Sequence, residues 1–81
     1  MSERFRCPCC HCRTLTERAA FELCPVCFWE DEGQDDHNVA EVLGGANGEL
    51  SLLQARRNYQ DFAACSRENV PHVRRARADE R

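Results

Sequence analysis

Two short cysteine turns constrain this chain more than anything else in it. Cys24-Pro25-Val26-Cys27 is one Cys-x-x-Cys pair. Cys7-Pro8-Cys9-Cys10-His11-Cys12 contains another, in one of two registers: Cys7 with Cys10, or Cys9 with Cys12. A spacing of two residues lets one tight turn aim both sulfurs at a single point, and two such turns supply the four soft ligands of a tetrahedral site. The Cys7/Cys10 register repeats the Cys-Pro-x-Cys form of the second pair. Proline after the first cysteine presets φ for the turn and removes one backbone donor. The expected ligands are therefore Cys7, Cys10, Cys24 and Cys27, with Cys9 and Cys12 as the alternative pair. The thirteen residues from His11 to Leu23 fall slightly short of the roughly 15–20 between many paired sites, a gap that a tight hairpin can span.

Such a site answers a physical need. A chain of 81 residues buries only roughly 60–65% of the surface its unfolded form exposes, so a domain of this size commonly relies on a staple. Seven cysteines are an odd number and cannot all pair as disulfides. Met1 to Arg6 contain no apolar run of the signal-peptide kind, and no stretch approaches the ~18 apolar residues of a membrane span. The expected compartment is the reducing cytoplasm, where clustered thiols bind metals or do redox work. One zinc ion per chain is the expected cofactor; iron suits the same all-thiolate geometry.

The expected fold is a small α+β metal-stapled domain, 1–81, with a zinc-ribbon-like β-hairpin carrying the two Cys-x-x-Cys turns and one C-terminal α-helix. Within it, 7–29 form the cysteine unit, with Arg13–Thr16 and Phe21–Leu23 as the paired strands and Leu15, Phe21 and Leu23 on the apolar side. Residues 30–50 read as a polar, solvated loop, with Val39, Val42 and Leu43 docking as a short apolar segment and Gly44–Gly48 breaking the chain. Residues 51–65 read as an amphipathic helix. Ser51 and Gln54 match a capping box, and Leu52, Ala55, Tyr59, Phe62 and Ala63 recur at helical spacing. This stripe is expected to cover Phe28 and Trp29. Pro71 stops any extension, and residues 70–81 form a tail in which Arg74 to Arg81 read as frayed.

These residues resemble the bacterial cysteine-rich CPCC family, whose motif stands here as Cys7-Pro8-Cys9-Cys10. The likeness continues through Cys24-Pro25-Val26-Cys27-Phe28-Trp29-Glu30, Gly33-Gln34-Asp35, Gly44-Gly45-Ala46-Asn47-Gly48, Leu50-Ser51-Leu52, Ala55-Arg56, Asn58-Tyr59, Phe62 and Pro71-His72-Val73-Arg74. It implies a small metal-binding protein with no assigned activity. Two positions depart from the family pattern. His11 stands where the pattern has glycine at a turn needing positive φ, a conformation histidine tolerates better than most residues. Cys12 creates the competing register.

Charge and motif content narrow the functional classes. All eleven basic residues are arginines. Residues 1–40 carry four arginines against eight acids, and 67–81 carry five against three, so the chain lacks the broad basic face of a general nucleic-acid binder. The acidic run Glu30, Asp31, Glu32, Asp35 and Asp36 does not follow EF-hand ligand order and reads as a solvated face. His11, His37 and His72 read as turn and surface residues. No catalytic motif is present, and a four-cysteine site has no open position for water. The expectation is a non-enzymatic module that binds another protein, with Phe28, Trp29, Arg74 and Arg75 as candidate contact residues. A thiol-redox or metal sensor, using Cys9, Cys12 or Cys65, and a nucleic-acid adapter using the arginine tail are the alternatives.

Overall fold

The computed structural model describes residues 3–81. Strand β1, Phe5–Arg6, pairs antiparallel with β2, Arg13–Leu15, with Phe5 opposite Leu15 and Arg6 opposite Arg13. The hairpin thus encloses the first cysteine turn and does not join Arg13–Thr16 to Phe21–Leu23. The reason is local. Cys7 N–H donates to Cys12 O at 2.8 Å and His11 N–H to Cys7 O at 2.8 Å, so the chain leaves the turn already antiparallel to its own entry. The two turn bonds decide the pairing even though 7–12 is a longer loop than the four residues 17–20 that the other pairing would close.

Phe21–Leu23 pairs forward instead. Leu23 bridges Glu30, Phe21 N–H donates to Asp31 O, and Asp31 N–H donates to Glu22 O. The second cysteine turn therefore sits inside a small hairpin of its own. Left-handed backbone at Ala19 (φ 57°) and Phe21 (φ 61°) turns the chain between the two units. Of the three residues expected on one apolar side, Leu15 is buried, whereas Phe21 and Leu23 face solvent.

Residues 30–50 have little regular structure but are organised from inside. The Asp31 carboxylate is fully buried and accepts from Ala19 N–H, Gly33 N–H and the Arg18 guanidinium. Buried Gln34 donates to Asn38 O and Glu41 O, tying the short 3-10 helix Asp36–Asn38 back on itself. Asn47 lies alongside Glu30 as a strand residue would, its Oδ1 accepting from Glu30 N–H and its Nδ2 donating to Glu30 O. The polar segment is thus a set of internal caps. Of the expected apolar segment Val42 and Leu43 are exposed and Val39 touches the core, as does Leu50.

Helix α1, Leu52–Phe62, starts where the cap predicts: Ser51 Oγ accepts from Gln54 N–H at 3.1 Å. The Gln54 side chain reaches Asn58, leaving the capping box half formed. The helix stops short of residue 65 because Ala63 turns left-handed, φ 61°, with its N–H donating to Tyr59 O. Leu52 and Ala55 are fully buried with Trp29, Leu15, Val26 and the cysteines in one core. Tyr59 is half-buried, and Phe62 lies outside that core, with the Arg67 guanidinium 4.7 Å above its ring. The apolar stripe docks through Leu52 and Ala55, keeps Tyr59 against the core and lifts away at Phe62.

The tail is folded back. Arg74 N–H donates to Pro25 O, and its guanidinium makes two 2.8 Å bonds to the Glu80 carboxylate. Glu80 is buried and also accepts from Arg77 N–H. A forked guanidinium matched to a carboxylate at the far end of a short segment closes it as a loop, so 74–81 lie against β2 and the second turn.

Candidate metal centre

The two cysteine turns are copies of one backbone. In the second, Cys24 N–H donates to Trp29 O at 3.0 Å and Phe28 N–H to Cys24 O at 2.8 Å, reproducing the pattern of the first. In both, the fifth residue is left-handed, His11 at φ 63° and Phe28 at φ 72°. Superposing the six positions pairs Cys7 with Cys24, Cys10 with Cys27, Cys9 with Val26 and Cys12 with Trp29. The residues at the third and sixth positions are buried in the same core. Cys9 and Cys12 thus occupy positions that a valine and a tryptophan fill opposite, and the Cys12 thiol points to Cys10 O at 3.8 Å.

The sulfurs of Cys7, Cys10, Cys24 and Cys27 lie within 4.8 Å of one another. Cys7 and Cys27 are 3.6 Å apart, and Cys10 and Cys24 are 3.7 Å apart. Four sulfurs bound to a central ion at roughly 2.3 Å sit about 3.8 Å from each other, so the arrangement fits a tetrahedral metal. Cys7, Cys24 and Cys27 are fully buried, and Cys10 is half-buried. Four cysteines are therefore positioned to bind a metal ion. Among the described residues no histidine or carboxylate joins the set.

Electrostatics explain why such a cluster wants a cation. The Cys10 thiol, donating toward Cys24, holds the Cys24 thiol well below the ordinary thiol range, and Cys27, Cys7 and the Thr14 hydroxyl act in the same direction. The same bond to Cys24 raises Cys10, and the bond to Cys10 contributes most to raising Cys27. One thiolate forms readily; four in contact need positive charge among them. The Thr14 hydroxyl, buried on β2, lies 3.0 Å from Cys24 Sγ and supports that sulfur alone.

The sequence profile of the cysteine-rich CPCC family matches residues 5–80. The chain belongs to the cysteine-rich CPCC family. No curated protein and no solved structure matches it. In this CPCC protein the family motif maps onto the first turn, with its proline buried and its third residue, Cys9, facing the core.

The other candidate residues divide. Phe28 is half-buried and stacks on His72, with 5.5 Å between ring centroids. Trp29 is fully buried and offers a partner no surface. Arg74 is engaged by Glu80, whereas Arg75 is exposed. Cys65 is buried beside the second turn, its N–H on Cys27 O, and burial pushes its thiol up to about 11. Within the acidic run, Asp31 and Asp35 take Arg18, and Asp36 takes Arg56. Thr14, which bonds Cys24, and Asp31, Gln34, Asn47 and Glu80, which cap the segments around the turns, hold roles that no short sequence pattern signals. The six-residue match between the turns, by contrast, is visible in the sequence and identifies Cys9 and Cys12 as the partners of Val26 and Trp29.

Proposed function

We propose that this protein is a zinc-stapled module that binds another protein and turns over no substrate. The single observation that carries the reading is the pair of matched turns converging four largely buried sulfurs at tetrahedral spacing. An ion so enclosed by protein sulfur is structural in its chemistry, because it has no free position for water. Zinc is the metal this set favours in a reducing compartment, and iron is the competing occupant. The engagement of Arg74 by Glu80 within the arginine tail favours a protein over a nucleic acid as partner. Among the described residues no helix is long and apolar enough to cross a membrane. One exposed surface suited to contact is the flank of the second turn around Leu23 and Phe28.

Elemental analysis of the purified chain is the test, followed by chelation under circular dichroism. One zinc per chain, with loss of the cooperative fold on chelation, is the expected result. A stoichiometric iron content would replace the metal; a fold indifferent to chelation would remove the staple altogether.

A further inference from the structure

The flank of the second turn is a groove of about 650 Å³ between that turn, the Gly44–Gly48 segment and the start of the 3-10 helix Arg67–His72. Its apolar surface comes from Leu23, Phe28 and Leu50, and Leu23 alone is 48% exposed. Glu30, Glu49 and Glu68 line it as well. None of these three carboxylates forms an ion pair among the described residues, whereas Asp31, Asp35, Asp36 and Glu80 all meet an arginine. No arginine lines the groove. The one arginine in the adjoining segment, Arg67, turns its guanidinium over the Phe62 ring instead.

We propose that this groove is a docking site for a basic segment of a partner protein, an apolar side chain flanked by arginine or lysine. The proposal rests on the interaction-module reading above and names the partner's chemistry. Complementary charge sets both encounter and register at such a surface, and an apolar anchor seated among hydrophobic side chains supplies most of the affinity. A four-thiolate site beneath Phe28, with a divalent ion bound, carries two further negative charges and strengthens the same field. A second surface of the molecule has the reverse character. There Tyr59, Phe62 and Val70 lie beside Arg75 and Arg81, so the two faces make different predictions about what binds where. The chain's own arginine tail is held against the second turn by Pro25 O and Glu80, which argues for a different protein as the source of the basic segment.

The test is selection of a random short-peptide display library on the full chain loaded with zinc. Peptides with an apolar residue between basic ones should be enriched. Their affinity should fall roughly tenfold or more in Leu23→Ser and in a Glu30→Gln, Glu49→Gln, Glu68→Gln triple variant, and should weaken with added salt. These side chains are at the surface, so metal content and melting temperature confirm that the variants are folded. Enrichment of acidic peptides whose binding depends on Arg75 would overturn the groove assignment while leaving the interaction module standing. Failure to enrich any sequence on folded, metal-loaded protein would overturn both. A chain that holds no metal refutes the stapled-module reading at the outset and is recognised before any selection.

Discussion

At the third, fifth and sixth positions the first cysteine turn carries Cys9, His11 and Cys12, where the second carries Val26, Phe28 and Trp29. The backbones between them are alike, with the same two hydrogen bonds and the same left-handed residue. Their surroundings differ. The first turn is held from outside, by the Arg56 guanidinium on Pro8 O and the Arg6 guanidinium on His11 O. The second is held through its own backbone, with Cys65 N–H on Cys27 O and Arg74 N–H on Pro25 O, and through Trp29 in the core. The pair teaches that Cys-Pro-x-Cys specifies the turn, while the residues between and after the cysteines decide what packs on it.

The largest test of that division separates ligand from filler. Cys7→Ser or Cys24→Ser should abolish stoichiometric metal and cooperative folding, since a structural zinc site is worth on the order of 10–16 kcal/mol. Cys9→Ser and Cys12→Ser should retain one metal per chain by elemental analysis. Equal loss in Cys12→Ser and Cys7→Ser would mean that the first turn exchanges registers.

The next compares equivalent core positions. Trp29→Ala should cost about 3–5 kcal/mol in denaturant unfolding of the metal-loaded protein, and Cys12→Ala about 1 kcal/mol, because the volumes lost differ so much. Similar costs would show that the two sixth positions are not equivalent in packing.

A smaller effect concerns the anchor of the second turn. The Arg74 guanidinium, with Arg77 N–H, holds the Glu80 carboxyl down to about 2 from an ordinary 4.5. A carboxyl depressed in the folded state stabilises fully above pH 4.5, and this contribution is lost as the pH falls toward 2. Glu80→Gln removes it at neutral pH, so tail amides should lose hydrogen-exchange protection while metal content stays unchanged. Unaltered exchange would show that the tail is held by other contacts.

The smallest concerns the left-handed residues. A non-glycine residue there costs roughly 1–2 kcal/mol. His11 is exposed and engages only backbone groups, its N–H donating to Cys7 O and its carbonyl accepting from Arg6, which glycine keeps, so His11→Gly should stabilise by up to about 1 kcal/mol in chemical denaturation. Phe28→Gly gives up the stack on His72 and should destabilise. Matching signs would erase the contrast between the turns.

The cysteine turns, the Ser51 cap and the first buried residues of α1 were legible because each is a short-range pattern with its own geometry. Strand pairing was not, since Arg13–Leu15 is as good a partner for Phe5–Arg6 as for Phe21–Leu23 by composition, and the turn's direction decides between them. The acidic loop reads as solvated because polarity alone does not reveal that Asp31 and Gln34 point inward to cap backbone groups. The tail reads as frayed because the pairing of Arg74 with Glu80 depends on a bend centred on residues that carry no signal of it. Trp29 reads from the sequence both as core beneath the helix stripe and as a candidate contact residue, and the structure settles it as core.

The amide of Asn47 gives the protein a chemical age. Asparagine before glycine is the sequence most prone to deamidation, by attack of the following backbone nitrogen on the side-chain carbonyl carbon. Here both sides of that reaction are restrained: the Asn47 amide is bonded to Glu30 and Glu32, and Gly48 N–H donates to Gly45 O. Folded protein should therefore keep the residue intact, whereas chelated protein incubated at mildly alkaline pH should accumulate the deamidated form at this position, read by peptide mass spectrometry. Once formed, the new carboxylate would face Glu32 Oε2 where an N–H had donated at 3.0 Å, and restoring the metal would not restore the loop. Metal loss would then be reversible for young molecules and not for old ones.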